Sequence, residues 1–257
     1  MKAYSERYYE KQKNEFNAKL SLQPGEEFNL GSVKIRQVDK SSGRMDGYMH
    51  KDFREWNNFP VLYVDGHTMM SVTPCEIMSH YNPINAAHGH VGGGGLGLGY
   101  FLSNILDKSE VLDVTVFETN NDVIQTYLQR FGSHPKLFID NRDVRTIFNM
   151  AFTFFYCDVY ASRFTELMAT DWQHIVGHNM INNYLFWGFE ELLMGMVAHE
   201  NSTVPIRIFP NYWATLAVKL YQDLLDSKHA RLIDLPYPVE LFNKFKEVKK
   251  CLPKKRQ

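Results

Sequence analysis

The chain has 257 residues, a formal net charge of −1, and 44% hydrophobic and 22% charged residues. That length is enough to bury a substantial core, and the near-zero charge excludes a surface built as a whole for nucleic acid or anionic membrane. The N-terminus is too polar for a signal peptide and no apolar run reaches the roughly 18 residues that span a bilayer, so the chain reads as soluble and cytoplasmic.

Residues 4–20, with Tyr8, Tyr9, Phe16 and Leu20 as inward positions, predict an amphipathic helix that stops before Pro24-Gly25. Glu27 to Asp39, broken at Gly31-Ser32, predicts a hairpin or two short strands, and Ser41 to Asn58 is polar and turn-rich. Phe59–Val64 and His67–Val72 flank Asp65-Gly66, a strong hairpin signal. Residues 1–75 therefore read as a helix and β-hairpin appendage. Pro74 to Ala87 predicts one helix, and from there strands and helices alternate: strand 88–92, helix 99–107, strand 112–118, helix 121–131, strand 136–140, a short helix 143–149 and strand 152–158. Such alternation predicts an α/β fold with a mostly parallel, doubly wound, Rossmann-like sheet over 76–257.

After Asp158 the alternation weakens. Asp171 to His199 reads as an aromatic helix, Ile206–Phe209 as a strand and Trp213–Leu225 as a helix, together a helical C-terminal extension. The lysine-rich tail from Lys244 reads as a solvated end. Cys75, Cys157 and Cys251 are too few and too far apart for a disulfide framework or a zinc pattern, which fits a reducing compartment.

The chemistry concentrates around Gly92 to Gly99, with six glycines in eight residues. Glycine loses more backbone freedom than alanine on folding, so the run reads as a tight turn rather than a strand interior. It feeds a helix whose N-terminal N–H groups face a ligand. Val114–Phe117 reads as a buried strand ending at Glu118, and Glu118 comes 21 positions after Gly97 (118 − 97). A carboxylate near that interval in a βαβ unit accepts from both ribose hydroxyls; the other reading is that Glu118 only caps the next helix. The glycine turn, Glu118, Asp140 to Asp143 and Asp158 all fall at carboxyl ends of strands, where open α/β sheets bind ligands. Asp158 either orients a nucleophile or caps a helix. Tyr160 lines an acceptor pocket or packs. His80, His88 and His90 lack further metal-type spacing and read as structural, so no metal is expected.

These residues resemble class I S-adenosylmethionine-dependent methyltransferases, spermidine-synthase-like branch, over roughly residues 59–160. Val64-Asp65-Gly66, Thr73 and Glu76 precede the glycine turn in that branch's order. The resemblance implies that Gly93, Gly94, Gly95 and Gly97 wrap the methionine part of S-adenosylmethionine and that Glu118 holds its ribose. It places Asp143, or alternatively Asp140, at the adenine amine, and Asp158 on the reacting side. Aminopropyltransferases of the branch carry an acid where this chain has Leu96, a second aspartate where it has Ala161, and a glutamine where it has Met69-Met70. A polyamine needs such carboxylates. The expected function is therefore methyl transfer to a small-molecule or protein acceptor, with a homodimer allowed. The alternatives are an aminopropyltransferase or an inactive methyltransferase-fold interaction protein.

Overall fold

The computed structural model describes residues 6–41, 43, 45, 48, 55–161 and 167–188. The described residues of 6–161 and 171–187 form one compact unit, to which 167–170 and Gly188 do not belong. The expected strand Ile206–Phe209, helix Trp213–Leu225 and C-terminal tail lie outside the described residues.

Helix α1 (Glu6–Leu20) buries Tyr9, Lys13, Phe16 and Leu20, one face at helical spacing. Lys13 is the unexpected member of that face. Its ammonium donates to the Asn57 carbonyl (2.7 Å), pairs with Glu10 (2.8 Å) and lies 4.2 Å from the Trp56 ring centre, so the charge is buried with partners. The strands β1 (Glu27–Leu30), β2 (Val33–Lys40), β3 (Asn57–Val64) and β4 (His67–Ser71) form one antiparallel sheet in sequence order. The two hairpins expected from sequence are thus joined through β2 and β3. Asp65 and Gly66 carry φ of +50° and +79°, as a tight two-residue hairpin turn requires.

The expected helix from Pro74 to Ala87 is two helices, α2 (Pro74–Ser79) and α3 (Tyr81–Ala86), which meet at His80. Pro83 is the cause: it has no N–H for the Ser79 carbonyl, and its ring crowds that carbonyl.

The central sheet is parallel throughout its described strands: β5 (Gly89–Gly94), β6 (Val111–Phe117), β7 (Leu137–Asp140), β9 (Phe154–Cys157) and β11 (Tyr184–Phe186), in the order β11-β9-β5-β6-β7. Helices α4 (Tyr100–Ile105) and α5 (Asn121–Phe131) connect its strands. A short parallel pair, β8 (Ala151–Phe152) with β10 (Met180–Ile181), stands apart. The core is aromatic: Phe16 meets Tyr100 and Phe131 at 5.5 and 5.7 Å, and Phe155 stacks on Tyr184 at 5.6 Å.

Three further expectations are corrected. Gly93 and Gly94 are not turn residues; with Gly92, the last residue of the expected strand, they lie inside β5, bonded to strands on both sides and buried. A Cβ on Gly92 would sit 2.2 Å from the Phe155 ring, so the absent side chain makes room for a neighbouring aromatic, and packing offsets the entropy lost. The short helix at 143–149 is only a 3₁₀ turn at Val144–Thr146. The long helix from Asp171 ends at His178 within α6 (Leu167–His178), and β10 and β11 follow. Asn179 stops the helix: its amide donates to the Ile147 and Ile175 carbonyls and accepts from the Met150 N–H. Tyr184-Leu185-Phe186 then adds the edge strand beside β9.

Candidate functional site

From β5 the chain steps to β6 and β7 on one side, then back to β9 and β11 on the other, so the strand order reverses between β5 and β9. Open α/β sheets bind ligands beyond the carboxyl ends at that point. Here those ends are tied together, because the Asp158 N–H donates to the Gly94 carbonyl (2.7 Å).

The turn after β5 depends on glycine at two positions. Gly95 has φ of +87°, and a Cβ there would lie 2.2 Å from the Asp158 carbonyl oxygen. Gly97 has φ of +51°, and a Cβ there would lie 2.8 Å from the Met70 sulfur. That sulfur accepts the Leu98 N–H at 3.1 Å, so the β3–β4 hairpin covers the turn.

Glu118 follows the last residue of β6. One carboxylate oxygen accepts the Leu96 N–H (3.1 Å) and the other the Asn120 N–H (2.8 Å), which joins the glycine turn to the start of α5. The cap of α5 is Asn120, whose side chain accepts from the Asp122 and Val123 N–H groups.

A cavity of about 380 Å³ opens over these elements. Gly93, Gly95, Gly97, Glu118, Asp143, Asp158 and Tyr160 all line it. Gly94 lies beneath the surface against Cys157 and Val144. Asp143 accepts the Arg145 N–H (2.9 Å), while the Arg145 guanidinium grips Asp171 through two bonds of 2.9 and 3.0 Å. Hydrogen bonding to Asp171 holds that guanidinium protonated. Asp140 is not among the lining residues; its carboxylate is taken by Arg142 at 2.9 Å. Tyr160 presents its ring, and its hydroxyl donates to the Cys157 sulfur (3.6 Å). Burial pushes the Cys157 thiol up to about 12 and raises the Tyr160 phenol as well, so neither is a nucleophile near neutral pH.

Sequence reasoning missed two lining residues, Glu76 and His80. His80 is 1% exposed, and its Nδ1 lies 3.0 Å from the Glu76 carbonyl oxygen and 3.2 Å from Glu76 Oε1. Its Nε2 lies 3.4 Å from Asp158 Oδ2. The spacing of Glu76 and His80, four residues apart, was a visible signal of a shared face; the third partner was not. One ligand atom from each of the three falls within 4.8 Å of the others. Nδ1 faces the Glu76 oxygens and, at 3.5 Å, the Ser79 hydroxyl, and Nε2 faces a carboxylate oxygen. A protonated imidazole would donate to both. His88 and His90 lie outside the cavity; His90 pairs with Asp113 at 2.7 Å on the surface.

The sequence matches no protein-family model and no curated protein. Solved structures do match. A spermidine synthase in complex with the transition state analogue AdoDATO shares 17% identity over 63% of this chain and 56% of its own, with a TM-score of 0.39. The N-methyltransferase NodS from Bradyrhizobium japonicum WM9 shares 13% over 57% of this chain and 83% of its own, also at 0.39. A DhpI–SAM–HEP complex shares 12% over 42% of this chain and 51% of its own, at 0.35. The chain spans about half the length of the DhpI and spermidine synthase chains. With its parallel strands in the order β11-β9-β5-β6-β7, its glycine turn after β5 and the carboxylate after β6, the chain has a Rossmann-like α/β fold.

Proposed function

We propose that this protein binds S-adenosylmethionine and transfers its methyl group to a small-molecule or protein acceptor. One observation carries the reading: the turn glycines, Glu118, Asp143 and Asp158, from four separate strand ends and loops, line a single cavity at the reversal of the sheet. The residues present fit the cofactor. Gly95 and Gly97 keep the turn tight, since a Cβ at either would run into the Asp158 carbonyl or the Met70 sulfur. Glu118 uses one acceptor site on each oxygen for backbone N–H groups and keeps others for two ribose hydroxyls. The volume lies in the range of small-molecule pockets.

When bound, the cofactor supplies a methyl group already activated on a sulfonium. The protein is left with holding and orientation. Glu118 holds the ribose. Asp143 accepts from the adenine amine, with Val144 and Phe117 as apolar walls. Asp158 accepts a hydrogen bond from the N–H or O–H of the acceptor and so orients its lone pair. Tyr160 contributes its ring to the wall, since its hydroxyl is spent on Cys157. Among the described residues no helix is long and apolar enough to cross a membrane.

Aminopropyl transfer is the weaker reading. The place of a polyamine-binding acid in the turn is Leu96, which is 5% exposed, and Met70 covers the turn with a thioether.

The test is calorimetric titration of wild type and Glu118→Ala with S-adenosylmethionine and S-adenosylhomocysteine. Binding to wild type that weakens by about 1–3 kcal/mol in the variant supports the site. No binding to wild type overturns it and favours an interaction protein on a retained fold.

A further inference from the structure

Glu76, His80 and Asp158 form a connected group that cofactor binding does not use. Glu76 and His80 share a face of α2 and its end, and Asp158 arrives from the end of β9. The cluster is deep: His80 is 1% and Glu76 8% exposed, while the Asp158 side chain keeps 24%. Rings close the space around the imidazole, with Tyr156 at 5.3 Å, Tyr100 at 5.5 Å and Phe101 at 6.4 Å. Within this cage Nε2 lies 3.4 Å from Asp158 Oδ2.

We propose that Glu76 and His80 are positioning residues, in which a buried imidazolium anchored by Glu76 holds Asp158 through Oδ2 and leaves Oδ1 for the hydrogen-bond donor of the methyl acceptor. The proposal rests on the methyl-transfer reading above. A carboxylate with one oxygen pinned presents the other in a fixed direction, which is what alignment of a nucleophile requires. Four titratable groups face the ring: Glu76 from α2, Asp158 from the end of β9, Tyr156 from β9 and Tyr100 from α4. Burial alone drives the ring toward its neutral form. The Glu76 charge and the hydrogen bond and charge of Asp158 outweigh it and raise the imidazole above its ordinary value. Burial pushes the Tyr100 phenol well above its ordinary value, so it stays neutral beside the ring.

Histidine-ring ¹⁵N NMR on the full chain tests this, with His80 assigned by the signal lost in His80→Gln. The wild-type ring should keep both nitrogens protonated at pH values clearly above the ordinary value of about 6.5. Glu76→Gln and Asp158→Asn should each move its midpoint downward, and Glu76→Gln should change the affinity for S-adenosylhomocysteine less than about threefold. A ring that merely fills space would ignore both substitutions. A wild-type midpoint at or below about 6.5 with normal S-adenosylhomocysteine binding overturns the positioning role alone, and needs no variant to fold. No S-adenosylhomocysteine binding by wild type overturns the methyl-transfer reading, and the acceptor role with it, whatever His80 does.

Discussion

The two ends of the cavity are built from different material. The glycine end is backbone: a turn at positive φ, N–H groups pointing at one carboxylate, and a strand too crowded for side chains. The Asp158 end is side chain: a carboxylate, an imidazole and a second carboxylate in a cage of aromatic rings. The difference teaches where each end is vulnerable. Backbone sites fail when a Cβ is added, whereas side-chain sites fail when one member of a charged group is removed.

His80→Leu should show the largest effect. Breaking a buried, paired charge costs about 3–5 kcal/mol. Because the folded state raises the His80 value, its contribution is full below about pH 6.5, the unfolded value, and is lost as pH rises through the folded value. Thermal midpoints of wild type and variant should therefore differ most at or below pH 6.5 and converge above. A pH-independent difference would show that the Asp158 end is held by packing alone.

Gly95→Ala should come next. The φ of +87° costs an alanine about 1–3 kcal/mol, and its Cβ meets a backbone carbonyl that has no room to move. Binding of S-adenosylhomocysteine should fall below detection by calorimetry, and wild-type affinity in this variant would break the comparison at its backbone end.

Glu118→Ala should weaken that binding by about 1–3 kcal/mol while the fold persists, since Asn120 still caps α5. Intact affinity would move the ribose site elsewhere.

The smallest effect separates two aspartates. Asp143→Ala should cost about 1 kcal/mol of cofactor affinity, and Asp140→Ala less than about 0.5 kcal/mol, because Asp140 does not line the cavity and its carboxylate is taken by Arg142. The reverse order in a titration would exchange their roles.

What could be read from sequence follows the same division. The glycine turn, Glu118 and the strand-end aspartates were legible because βαβ units place their ligand groups at short, regular intervals. The hairpin at Asp65-Gly66 was legible because positive φ at both positions limits the residue choice. The break at His80 was signalled by Pro83 and overlooked. Gly93 and Gly94 were misread because a glycine in a strand explains itself only through its neighbours, here Val116 of β6 and Cys157 of β9. Tyr184–Phe186 was misread because aromatic runs suit a helix or a strand, and the open edge beside β9 decided the matter.

By itself the sequence determined the strand and helix alternation, the place of the tight turn and the carboxylate that follows the second central strand, since each depends on interactions within about 20 residues. Only the tertiary structure decided that Met70 covers the turn, that Asp143 and not Asp140 lines the cavity, and that Asp158 meets a histidine 78 positions earlier (158 − 80). Those contacts exist because the sheet reverses its order between β5 and β9. That reversal brings distant strand ends side by side, and no local pattern records which side chains will face each other there.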